Sequence, residues 1–317
     1  MSFSSEVKDE LVRVWPSGRN QMLAELSAMI FMAGRRSREE GREVLSLTSE
    51  HSGTVRKYFT LLRKAYNIGT GLSVKKRSAG KRIHTYTVIL RGTDAVEQVL
   101  AGCKLQGGQD ESGFSLSGKR LIYDDGSRRS FLRGAFLAAG SVSDPEKFYH
   151  LEFVCQSLPA AEFLQDLISS FGEEGGIVAR KNSQILYFKG SDEIVELLGL
   201  MDAPKALMLF ENIRIVKDMR NSVNRKVNCE TANISKTVSA AVKQLGDIEY
   251  IRDTEGLGSL PANLREMAEI RLRYPEAPLR ELGSRLNPQV GKSGVNHRLR
   301  KLSEYAEQLR GDRNTDG

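Results

Sequence analysis

Cysteine is scarce and badly spaced for covalent or metal chemistry. Cys103, Cys155 and Cys229 are the only three in 317 residues, and no C-x-x-C occurs. An odd count at such distances encodes neither a disulfide framework nor a zinc ribbon, and a reducing, cytoplasmic setting is expected. Long hydrophobic runs are also missing; none approaches the ~18–20 residues of a membrane helix. The opening MSFSSEVKDELVRVW carries acids and no apolar h-region, so no secretory signal and no membrane partner are expected. His51, His84, His150 and His297 lack metal-ligand spacing, and no G-x-S-x-G or paired-acid constellation stands out. Gly291-Lys292-Ser293 imitates the end of a phosphate-binding loop, but Leu286 stands where that loop needs glycine and no strand precedes it. No metal and no cofactor are therefore expected.

What is present is enough for roughly two domains, with a 40% hydrophobic fraction to fill their cores. Lys and Arg outnumber Asp and Glu by 47 to 40, a net charge of +7. The placement of that charge says more than its size. No acid occurs between Glu50 and Asp94, a stretch holding Arg56, Lys57, Arg63, Lys64, Lys75, Lys76, Arg77, Lys81, Arg82 and Arg91. None occurs between Glu281 and Glu304, against Arg285, Lys292, Arg298, Arg300 and Lys301. Ordinary surfaces mix signs, so two acid-free windows point to a polyanionic partner, nucleic acid.

The chain repeats itself. A helix over 23–34 is followed by a strand over 42–47, a helix over 53–67, two alternating segments (72–78 and 84–90) turning at Gly80, and a short helix over 93–102. The order recurs as a helix over 130–140, a strand over 150–156, a helix over 158–172, two strands turning at Asn182-Ser183, and a helix over 191–200. The spacing predicts an α+β fold of two pseudo-symmetric units, repeat one about 1–106 and repeat two about 119–203, within a domain over 1–218. The Gly- and Ser-rich stretch near 107–117 reads as their connection. Residues 219–258 read as a basic linker and a connecting helix, with Arg220, Arg225 and Lys226 as additional candidate nucleic-acid contacts.

From 259 to 310 the pattern is all-helical, and 311–317 reads as a disordered tail. Two helices, 260–274 and 278–286, precede a turn over 287–291 and a third helix over 292–309. In the last, Val295, Leu299, Leu302, Ala306 and Leu309 are spaced 4-3-4-3, a single apolar seam. This is a helix-turn-helix arrangement, in which the last helix enters the major groove of double-stranded DNA. The candidate DNA contacts are Ser284, Lys292, Ser293, Asn296, His297, Arg298, Arg300 and Lys301. Ser293, Asn296, His297 and Arg300 can reach base edges or flanking phosphates, whereas Lys292, Arg298 and Lys301 are expected mainly on phosphates.

The helices that open the two repeats end in LSAMIFMAG (26–34) and LRGAFLAAG (132–140). They resemble decayed copies of the LAGLIDADG signature of homing endonucleases. Leu26 and Leu132 match its opening leucine, Gly134 its third position, and Gly34 and Gly140 its closing glycine. That resemblance implies two helices packed at small residues, each bringing an acid to the scissile phosphates just before the last glycine. Those positions are Ala33 and Ala139 here, and the other acidic position of the motif is Phe31 and Leu137. Carboxylates that would hold divalent ions are lacking, so no catalytic residue is assigned. The resemblance also implies a DNA saddle built from both sheets. Lys75, Lys76, Arg77, Lys81 and Arg82 on the first hairpin would suit it. The second offers only Arg180, Lys181 and Lys189 among many acids, so a symmetric saddle is not expected.

A decayed LAGLIDADG pair joined to a C-terminal helix-turn-helix resembles the WhiA family. The stretches that carry this are FSSEVKDEL, RRSFLRGAFLAAGSVSDP, RNSVNRKVNCETANISKTV and KSGVNHRLRKL. The resemblance implies a non-enzymatic, sequence-specific DNA-binding regulator of transcription tied to cell division and chromosome segregation, and to sporulation in sporulating hosts. The alternative is an adaptor whose endonuclease-like domain binds another regulatory protein, with DNA met only by the C-terminal domain.

Overall fold

The repeat in the sequence becomes a repeat of topology in the structure. The computed structural model describes residues 2–68, 72–79, 83–108, 113–117 and 119–315. The chain divides into two units, Met1–Asp218 and Met219–Gly317. In the first unit, α1 (Phe3–Leu11) and α2 (Arg19–Ala33) precede β1 (Gly34–Glu39), β2 (Arg42–Ser49), α3 (Ser52–Tyr66), β3 (Leu72–Ala79), β4 (Ile83–Arg91) and α4 (Thr93–Gly102). A small ladder of β5 (Leu105–Gly107) and β6 (Phe114–Leu116) follows. The second repeat runs α5 (Asp125–Ala139), β7 (Gly140–Val142), β8 (Leu151–Cys155), α6 (Leu158–Ser169), β9 (Gly176–Arg180), β10 (Ser183–Phe188) and α7 (Ser191–Leu200). The sheets share one strand order, β1-β2-β4-β3 and β7-β8-β10-β9, antiparallel throughout.

Several elements differ from the expectation. Strands β1 and β7 continue directly from the motif helices. Neither is legible as a strand, because β1 is the polar run GRRSRE on a sheet edge, largely exposed and β7 is only three residues long. The β9–β10 hairpin pairs Arg180 with Ser183, so its turn residues are Lys181 and Asn182, one place earlier than read, with Lys181 at φ 54°. The stretch near 107–117 is partly the β5–β6 ladder. Gly80, Lys81 and Arg82 lie outside the described residues.

Helices α2 and α5 pack against each other at the centre of the unit. Every residue from Ala24 to Met32 is buried, and Phe131, Leu132 and Ala135 to Leu137 are as well. A helix apolar on all sides is the expected signature of such a position. Close approach depends on Gly134: a Cβ there would lie 2.3 Å from the Glu25 carbonyl oxygen and 3.0 Å from the Ala28 Cβ. The closing glycines are not left-handed caps. Gly34 and Gly140 are extended (φ −68° and −84°). They are glycine because helix passes straight into strand: a Cβ would meet the Ile30 carbonyl oxygen at 2.5 Å and the Phe136 ring at 2.3 Å.

Four charged side chains cross this apolar centre. Glu25 is fully buried, with one carboxylate oxygen 2.5 Å from Lys57 Nζ and the other 3.2 Å from the Arg133 guanidinium. Lys57 also donates to the carbonyls of Leu11 (2.9 Å) and Val14 (2.6 Å), and Arg133 reaches Asp202 at 2.6 Å.

Helix α8 (Pro204–Thr254) starts in the first unit and ends in the second. Residues 217–236, expected as a linker, are helical throughout. Their Asn, Ser and Thr content suggests a loop, but from Lys205 to Leu245 there is no glycine or proline to break a helix. From Asp218 to Ala240 every residue is exposed. Val216, Val227 and Val238 recur at an 11-residue spacing, as do Val223 and Ile234. At 3.67 residues per turn, close to the helix's own 3.6, such a row keeps near one helix face.

The second unit continues with α9 (Ala262–Arg273), α10 (Leu279–Ser284) and α11 (Lys292–Thr315). Helix α11 therefore runs through much of the segment expected as a disordered tail. Ile248 and Ile251 of α8 join Leu260, Leu264, Met267, Ala268, Leu282, Leu286, Val295, Leu299, Leu302 and Ala306 in one core. The 4-3-4-3 seam of α11 faces inward as read.

Candidate nucleic-acid interface

The turn between α10 and α11 is held close. Val290 N donates to the Gly283 carbonyl at 3.0 Å, and a Cβ on Gly283 would fall 2.1 Å from the Val290 carbonyl oxygen. Only glycine permits that approach, which sets how α11 leaves the turn. Beside it, Arg285 stacks on Tyr274 with 3.9 Å to the ring centroid. Val295 N donates to the Gly291 carbonyl at 3.0 Å as α11 begins.

Burying Val295, Leu299 and Leu302 turns the opposite face of α11 to solvent. Lys292, Ser293, Asn296, His297, Arg300 and Lys301 are all exposed, so the structure brings these candidates together on the first turns of one helix. Arg300 lies 3.4 Å from Glu304 and 3.5 Å from His297 Nδ1, contacts that hold the guanidinium along the helix. Two candidates are placed differently. Arg298 folds back onto α9, with 3.4 Å to the Asn263 carbonyl oxygen and 3.8 Å to Glu266, its side chain 17% exposed. Ser284 is exposed, but its hydroxyl donates to the Glu281 carbonyl at 2.8 Å.

The other candidates sit elsewhere. Arg220, Arg225 and Lys226 are exposed on α8. Lys75, Lys76 and Arg77 occupy edge strand β3, in register with Thr87, Tyr86 and Thr85. Lys81 and Arg82 lie outside the described residues.

One cluster in this unit escaped the sequence reading. A cavity of about 680 Å³ between α8, the residues after α9 and the start of α11 is lined by Lys236, Gln244, Arg271, Arg280, Lys292 and Asn296, with apolar neighbours. Its signal was present: Leu264, Met267, Ala268 and Arg271 follow the i, i+3, i+4, i+7 positions of one helix face, so Arg271 occupies a core place.

At the ends of the motif helices lies a second cavity, about 660 Å³, lined by Met32, Ala139 and Gly140 together with Lys8, Glu50 and His51. The donor set does not fit a divalent ion: Ala139 offers a methyl group, Glu50 is the one carboxylate in the lining, and the Lys8 ammonium stands near it. Among the described residues no group of three or more His, Cys, Asp or Glu is placed to hold a metal. Phe31, at the other motif position, packs on Phe131 and Phe163 with centroids 6.1 and 5.6 Å away.

Burial, partly offset by Glu50, brings the Lys8 ammonium down from 10.5 to about 8. Between those values the unfolded chain binds more protons than the folded one, so stability from this group rises with pH through that window and is lost as pH falls through about 8. Lys8→Met should therefore raise stability near neutral pH and flatten that part of the rise. Urea denaturation of both proteins at about pH 7 and pH 10 checks this; parallel curves would contradict it.

Comparison with known proteins follows the same division. Three family models match: the WhiA N-terminal LAGLIDADG-like domain over residues 19–105, the WhiA LAGLIDADG-like domain over 128–220, and the WhiA C-terminal HTH domain over 223–306. A curated relative from Alkaliphilus oremlandii, named "Probable cell division protein WhiA", is 47% identical across 98% of each chain. One of the same name from Lachnoclostridium phytofermentans is 45% identical over 98% of this chain and 100% of its own. The crystal structure of full-length DUF199/WhiA from Thermatoga maritima aligns with a TM-score of 0.57 at 26% identity, covering 97% of this chain and 99% of that one.

Proposed function

This chain belongs to the WhiA family, and from that premise we propose that it is a sequence-specific DNA-binding regulator of transcription with no nuclease activity. It acts in the cytoplasm on cell division and chromosome segregation, and on sporulation where the host sporulates. The observation that carries the reading is the exposed, acid-free first half of α11, with Lys292, Ser293, Asn296, His297, Arg300 and Lys301 opposite a buried seam. A groove-reading helix needs that division. The first unit keeps the packing of an endonuclease-like pair and lacks the acids that would cut.

The exposed residues divide into two jobs. Arg300 reads a base edge, and Lys301 neutralises a phosphate. Arg300→Ala should cost about 1–3 kcal/mol on the target and little on random duplex, lowering their affinity ratio. Lys301→Ala should weaken both alike and reduce the salt slope by about one unit. Affinities for both duplexes across a salt series test this, with circular dichroism to confirm folding. If folded Arg300→Ala and His297→Ala proteins both bind the target at wild-type strength, α11 does not read DNA.

One observation favours a protein partner as well. On the second sheet, Val154 and Val178 flank Ile185 in register across three strands; the two valines are 40% and 48% exposed, whereas Ile185 between them is buried. An aliphatic row suits a protein better than a phosphate backbone. In the adaptor reading, Val154→Lys with Val178→Lys abolishes function in a deletion strain and leaves duplex binding intact.

A further inference from the structure

We propose that the cavity between α8, the residues after α9 and the first turns of α11 is an anion site that receives a phosphoryl group, with Arg271 deepest and Lys236, Arg280 and Lys292 around it.

The argument starts from Arg271. It is 3% exposed, and a buried guanidinium requires compensation. The first unit shows the usual solution, where Lys57 and Arg133 share Glu25. Arg271 has no such acid. Its Nη1 donates to the Ala277 carbonyl at 2.9 Å, its buried Nε has no acceptor, and it makes no ion pair among the described residues. The cavity beside it adds three exposed cations, Lys236, Arg280 and Lys292, and no carboxylate lines it. The Gln244 amide oxygen is likewise buried without a donor. Turned over, that amide presents its NH₂ as a further donor to an anion. Four positive groups converging on about 680 Å³ exceed what a single carboxylate would balance. A phosphoryl dianion suits the charge, and its oxygens suit the forked donors of arginine.

Two sources can supply that chemistry. One is a free phosphorylated small molecule, for which the volume is ordinary. The other is a backbone phosphate of DNA, since Lys292 and Asn296 belong to both the cavity and the exposed face of α11. Only this second source rests on the DNA reading above.

The test uses the full chain and inorganic pyrophosphate in a calorimetric titration, beside duplex binding across a salt series. For a free anion, pyrophosphate binds at one site per chain. Lys236→Ala and Arg280→Ala, both at exposed positions, each weaken it about tenfold, and Arg300→Ala, outside the cavity, leaves it unchanged. For a DNA phosphate, pyrophosphate gives no heat. Lys236→Ala and Arg280→Ala then weaken target and random duplex alike, and each lowers the salt slope by about one unit. Because Arg271 is in the core, the two rim variants decide. Wild-type pyrophosphate and duplex binding in both, or a pyrophosphate site indifferent to both, overturns the proposal. A failure of Arg300→Ala and His297→Ala to change DNA affinity would remove the α11 reading alone.

Discussion

Glu25→Ala should cost the first unit about 3–5 kcal/mol, because it removes the buried carboxylate that two cations share, leaving Lys57 with carbonyls only and Arg133 with Asp202 as its one remaining acid. The whole stability of a domain is about 5–15 kcal/mol, so the variant is expected at the edge of unfolding. Both Glu25 oxygens are engaged, one by Lys57 at 2.5 Å and one by Arg133 at 3.2 Å, and the residue has no exposed surface. Lys57 continues to the carbonyls of Leu11 and Val14, so the loss spreads to the end of α1. Burial already drives the Lys57 ammonium below its ordinary value, with Glu25 holding it up; removing the acid removes that support. Trp15, the one tryptophan in the chain, lies 5.7 Å from Lys57 Nζ by ring centroid and reports on this region. Urea denaturation followed by its fluorescence should show a much lower midpoint. Replacing all three groups together, Glu25→Leu with Lys57→Met and Arg133→Met, should cost far less, because no buried charge is then left alone and the half-exposed Asp202 turns to water. A Glu25→Ala midpoint equal to wild type would show that the charges escape to water.

Val295→Asp should unfold the second unit and abolish DNA binding to target and random sequence alike. Val295 is fully buried at the first seam position of α11, against Gly283, whose close approach fixes the turn. A carboxylate there finds no paired site, and leaving it ionised costs several kcal/mol in a core of modest size. Val295→Ala is the control. It removes only methyl groups, should cost about 2–3 kcal/mol, and should leave a folded protein that still binds. Helicity and duplex affinity measured together separate the two. If Val295→Asp keeps wild-type helicity and affinity, the seam is not the core and the exposed face of α11 is assigned wrongly.

The second unit was the more legible part. Its core obeys one periodicity on α11, and Pro261, Pro278 and the turn at 287–291 mark the helix ends. The buried motif helices were harder to read by pattern, since a helix enclosed on all sides has no polar face; nonapeptide likeness located them. Edge strand β1 stayed hidden because its side chains are polar and its stability comes from backbone pairing with β2. The supposed linker failed for the opposite reason. Polar composition suggested a loop where no residue actually interrupts a helix. The Arg271 cavity needed three dimensions, because Lys236, Arg271 and Lys292 are far apart in the chain and meet only after α8, α9 and α11 pack.

The central ion network also decides which repeat can partner which. By the alignment of Leu26 with Leu132, Arg133 corresponds to Ser27, and Glu25 to Phe131. The acid is therefore supplied by one repeat alone and the base of this cross-repeat pair by the other, at positions that are not equivalent. Two copies of the first repeat would bury Glu25 opposite Ser27, and two copies of the second would bury Arg133 opposite Phe131. Each would lose the Glu25–Arg133 contact at 3.2 Å that only the unlike pair makes, leaving Glu25 with Lys57 alone in the first case and Arg133 with the half-exposed Asp202 alone in the second. Near-identical topology would otherwise leave the halves free to associate with their own kind, or to exchange between chains. The cross-repeat contact favours the heterotypic pair, the one arrangement in which both Glu25 oxygens and both ends of the Arg133 guanidinium are engaged.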